Sequence, residues 1–101
     1  MALDLFCYSS LELAKVQEIL TDVKSRHEEL FAHKFLISGG RPTTDEGRET
    51  AFEYGINAIS LFLIRLNARD ASDFLPEVVA VIKAALGDAN VVILIEGESR
   101  L

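Results

Sequence analysis

Apolar residues along this chain repeat with two alternating periods. Leu3, Leu5 and Cys7 share one parity, with Asp4, Phe6 and Tyr8 on the other, and this period of two predicts a strand over 2–8. Asp4 is read as the start of that strand, where its carboxylate reaches solvent, because burying an unpaired charge is costly. From Leu11 the step lengthens. Leu13, Val16, Leu20, Val23, His27 and Leu30 recur every three or four residues and lay one stripe along a helix over 11–31. The opposite face of that helix carries mixed charges from Glu12 to Glu29, a solvated surface. Ser9 and Glu12 have the S-x-x-E spacing of a capping box and predict where the helix opens. A second strand is expected over 34–38, followed by a turn through Ser38, Gly39, Gly40, Arg41 and Pro42.

The second half repeats the order. Ile59 to Leu66 is apolar on both parities, Ile59, Leu61 and Leu63 on one and Phe62, Ile64 and Leu66 on the other, as expected of a strand covered on both faces. Ser72 or Asp73 is expected to cap a helix over 73–86, with Pro76 tolerated in its first turn and Gly87 as its stop. Leu75, Val78, Val79, Ile82, Ala85 and Leu86 form the buried stripe. Val91 to Ile95 is the last strand, five consecutive apolar residues. Between the halves, 43–55 has two readings. Thr43 with Glu46 has capping spacing and Gly55 suits a left-handed stop, which favours a short helix; Thr50, Phe52, Tyr54 and Ile56 alternate as an extended arm would.

Taken together these elements predict a single α+β domain over 1–101. It is a two-layer β-α-β-β-α-β sandwich, with a four-stranded, mainly antiparallel sheet, two long helices on one face and an extra helix or arm at 44–54. The order resembles the ferredoxin-like split-βαβ arrangement, which implies a spatial strand order of 4-1-3-2. Helices on one face leave the other to be covered. Phe62, Ile64, Leu66, Val92 and Leu94 are expected to form that second face, roughly a few hundred Å² of apolar surface. Either 43–57 folds across it, with Phe52, Tyr54 and Ile56 inward, or a second copy does, making a homodimer.

Composition narrows the chemistry. Sixteen acidic against ten basic residues leave a net charge of −6, which disfavours nucleic acid and anionic membranes as partners and favours a basic protein. No basic leader or bilayer-length apolar run is legible, so the cytoplasm is the expected compartment. Cys7, the one cysteine, sits in an apolar run and reads as a small buried hydrophobe. His27 and His33 lack the neighbours of a metal site, and no cofactor is expected. The chain has no G-x-S-x-G elbow, Walker loop, H-E-x-x-H or C-x-x-C. Gly39, Gly40 and Arg41 before Thr43 and Thr44 resemble a phosphate cradle, but Asp45 and Glu46 would repel an anion there.

What remains is a run of carboxylates. Asp45, Glu46, Glu49 and Glu53 lie along one side of the short helix with Arg48 among them, either a solvated face or an acidic ridge that docks on a cationic protein. The reading preferred from sequence is a non-enzymatic acidic binding protein, working on a basic partner as small bacterial immunity proteins and antitoxins do. A dimeric small-ligand or regulatory module is the alternative. An enzyme using Tyr8, Arg65 or His33 has only residue type in its favour.

Overall fold

A computed structural model describes residues 4–31, 35–66, 73–95 and 99–100. Within them the chain runs β1 (Asp4–Ser9), α1 (Leu13–Arg26), β2 (Phe35–Ile37), β3 (Arg41–Pro42), α2 (Asp45–Glu53), β4 (Ser60–Leu66), α3 (Leu75–Leu86), β5 (Val91–Ile95) and β6 (Ser99–Arg100). This is an α+β fold with an antiparallel sheet in the order β2-β4-β1-β5-β6, and β3 pairs with β4 on the edge that β2 also uses. The expected four strands gain two short ones. Arg41 and Pro42, expected in a turn, pair with Leu61 and Ser60 instead. Proline is tolerated because β3 is an edge strand, where no ladder bond is needed from its nitrogen.

β1 lies between β4 and β5, and its register sorts the whole core. Cys7 stands opposite Phe62 on one side and Ile93 on the other, and Leu5 opposite Ile64 and Ile95. Directly opposed residues share a sheet face. Leu5, Cys7, Phe62, Ile64 and Ile93 therefore point together at Val16, Leu20 and Val23 of α1 and Val78, Ile82 and Leu86 of α3. The other face carries Tyr8, Leu61, Val92 and Leu94 and is covered by Ala51, Ile56 and Ala58 from α2 and the chain after it. The second face is thus covered from within the chain. Its expected membership needs correction, because Phe62, Ile64 and Leu66 pack under α1 and α3 while Val92 and Leu94 lie beneath α2. The five residues divide between two cores and form no common patch.

The helix starts also differ from expectation. Ser9 ends β1, paired with Ser60 and Val91, and its hydroxyl accepts from the Leu11 amide at 3.0 Å. Ser60 donates to the Leu11 carbonyl at 2.8 Å. The two serines hold the turn, and α1 opens two residues late, at Leu13, with Glu12 at its N-cap and no capping side chain. α1 ends at Arg26; the amides of Leu30 and Phe31 then bond to the His27 carbonyl, and both side chains join the core. α3 opens at Leu75, with Pro76 in its first turn, and stops at Gly87, whose φ of 97° suits glycine. Ser72 and His33 lie outside the described residues.

Candidate docking surface

α2 is built by its caps and its small residues. The Thr44 hydroxyl accepts from the Gly47 amide at 3.0 Å and satisfies one of the helix's free first-turn donors. The cap is Thr44, one residue after the expected Thr43. The Thr43 amide donates to the Ile59 carbonyl at 3.2 Å, which keeps that residue extended beside the sheet, and its side chain is buried. At the far end the amide of Gly55 (φ 86°) bonds to the Phe52 carbonyl, and that of Ile56 to the Ala51 carbonyl.

The face of α2 turned to the sheet is Gly47 and Ala51, four residues apart, and both are buried. The other face presents Asp45, Glu46, Arg48, Glu49, Phe52 and Glu53, all exposed. The structure thus brings all four carboxylates expected from sequence onto one short exposed helix. Arg48 reaches Asp45 only at 4.0 Å, a contact worth little at such exposure. Asp45 and Glu46 sit in the first turn, where the helix dipole favours them. Glu53 sits in the last turn, which holds no basic residue and where the dipole opposes an acid. Phe52, expected inward, is 70% exposed, while Ile56 is buried and Tyr54 only partly packed. A helix turns about 100° per residue, so the residue after the buried Ala51 is carried off the sheet.

Of the residues considered for catalysis, Tyr8 and Arg65 do not converge, and His33 lies outside the described residues. Tyr8 and Arg65 share a sheet face, but Arg65 pairs across to Asp4 and Tyr8 to Leu61. Four strand steps of about 3.3 Å put them roughly 13 Å apart. Burial raises the Tyr8 phenol above its ordinary value and does the same to the Cys7 thiol, which makes a poor nucleophile. Arg65 grips Asp4 with Nε at 2.8 Å and Nη2 at 3.1 Å, and these bonds hold the Asp4 carboxyl below its usual value. Asp4 is therefore a paired group and not simply a solvated strand end. Beside this pair lies a shallow hollow of about 300 Å³, lined also by Leu36, Ser38 and Leu63. Among the described residues, no three histidine, cysteine or acidic side chains gather as a metal site, and no helix is long and apolar enough to cross a membrane.

Known proteins are similar to this chain in both sequence and geometry. Residues 1–99 match the family described as CDI System Immunity Component. The chain is similar to Immunity protein CdiI-2 of Burkholderia pseudomallei (strain 1026b), 37% identical over 100 residues that make up 99% of each chain. It is also similar to a chain in the solved CdiA-CT/CdiI toxin and immunity complex from Burkholderia pseudomallei. The TM-score there is 0.93 and the identity 36%, over 97% of this chain and 95% of that one.

Proposed function

We propose, since this chain belongs to the family of CDI system immunity components, that it binds a CdiA-CT toxin domain and keeps it inactive by occupying its surface. An immunity component works by binding and not by turnover. The observation that carries the reading is the likeness, along nearly the whole of this protein, to one chain in a structure of a toxin and immunity complex.

The docking face in this reading is the exposed side of α2, with Asp45, Glu46, Glu49 and Glu53 meeting a basic surface of the toxin. Its support is electrostatic. Four carboxylates against one guanidinium stand on nine residues, and Glu53 stands where it costs the helix stability. The scaffold is in our reading a ferredoxin-like variant. Support comes from the order of its longer strands, β2-β4-β1-β5, with α1 and α3 packed on one face; β3, α2 and β6 are additions. The test is co-expression with the cognate CdiA-CT domain, followed by growth and by titration of the purified partners. Wild type should protect cells and bind tightly, and Glu49→Lys with Glu53→Lys should bind at least ten-fold more weakly, chiefly through a slower, less salt-dependent association. Absence of binding by wild type overturns the function; unchanged binding by the double reversal removes α2 as the contact.

A further inference from the structure

We propose that Phe52 is the apolar anchor of the toxin interface, a ring that seats in an apolar hollow within the basic surface facing α2. The inference rests on α2 being the docking face and names the residue that would hold it there. Phe52 is the most exposed large hydrophobic side chain among the described residues, at 70% against 48% for Leu36 and 45% for Ile59. It belongs to neither apolar cluster, so the fold draws no packing from it. Every other exposed side chain of α2 is charged. On the helix surface Phe52 is one turn from Arg48 and Glu49, two turns from Asp45, and adjacent in sequence to Glu53.

That setting selects the partner's chemistry. An aromatic ring flanked by Glu49 and Asp45, with Arg48 as the one cation beside it, is complemented by an apolar hollow rimmed mainly with lysine or arginine. Interfaces concentrate their affinity in such aromatic anchors, shielded from water by a polar rim. Leu36 is a weaker candidate because the charges beside it, Asp4 and Arg65, already satisfy each other.

The test compares Phe52→Ala, Phe52→Leu and Leu36→Ala with wild type in binding kinetics against the cognate CdiA-CT domain. Each variant should fold, with a melting temperature within about 3 °C of wild type, as befits exposed positions. Phe52→Ala should bind at least ten-fold more weakly, mostly by faster dissociation, with its salt dependence unchanged. Phe52→Leu should recover most of the loss, and Leu36→Ala should match wild type within two-fold. Wild-type binding with Phe52→Ala inside two-fold of it overturns the anchor alone, whereas no binding by wild type overturns the functional reading together with it.

Discussion

A methyl group added at position 47 would lie 2.8 Å from Thr43 Cγ2 and 3.1 Å from Tyr8 Cε1, too close for either without movement. Glycine there weakens α2 as an isolated helix, by about 1 kcal/mol against alanine, yet lets the helix descend onto the sheet. Thr43 and Tyr8 are both buried, so neither yields freely. Overpacking of this kind costs about 1–3 kcal/mol, enough to exceed the propensity gain. Gly47→Ala should therefore lower unfolding free energy by about 1 kcal/mol in urea denaturation; a neutral or stabilised variant would mean that α2 has room to rise. From sequence alone Gly47 reads only as a weak point in a helix. Its contacts come from Thr43 and from Tyr8 on a distant strand, and local propensity contains neither. Ser9 is a comparable case: its spacing to Glu12 is that of a cap, but ladder partners on both sides keep it in β1.

At the scale of the element, α2 holds a conflict between its own stability and its charge. Glu49 and Glu53 are four residues apart and of like sign, and Glu53 faces the negative end of the helix dipole. Replacing Glu53 with lysine turns both interactions favourable. Glu53→Lys should raise unfolding free energy by about 0.5–1 kcal/mol while weakening toxin binding. Calorimetric melting beside titration tests this, and a variant that loses both stability and affinity would show that Glu53 serves the fold. That α2 exists was legible from its threonine start and glycine stop. Which side it shows to water was not, because Phe52, Tyr54 and Ile56 also fit a period of two, and the choice between periods depended on the sheet beneath. α1 and α3 were more readable, since their stripes are long enough to exclude any other period.

For the whole molecule, the central strand sets the arrangement. Cys7 is fully buried on β1, hydrogen-bonded neighbours flank it on both sides, and α1 and α3 lie over it. Local fraying does not expose such a site. Labelling of Cys7 by a thiol reagent should therefore track global unfolding: negligible in native conditions, rising with urea at the slope of the equilibrium transition, and slower still when toxin is bound. Rapid labelling of the native protein would show that β1 opens without the rest. The carboxylate cluster on α2 was legible in the sequence because its members lie within nine residues. The proposed anchor beside it was not, since a phenylalanine in an amphipathic segment reads first as core.

The sequence by itself determined the order of the four longer strands and the two long helices, the acidic balance, the absence of recognisable catalytic spacing and the apolar character of β4 and β5 on both parities. These follow from periodicity, turn chemistry and charge, which act over a few residues. Only the tertiary structure decided which parities meet. Alternation assigns each strand two faces but leaves open which face of β4 joins which face of β5. The register through β1 put Phe62 beside Ile93 and left Val92 and Leu94 on the opposite side. A shift of one residue in that pairing would exchange the two cores; the pairing that formed buries both and leaves Phe52 in water.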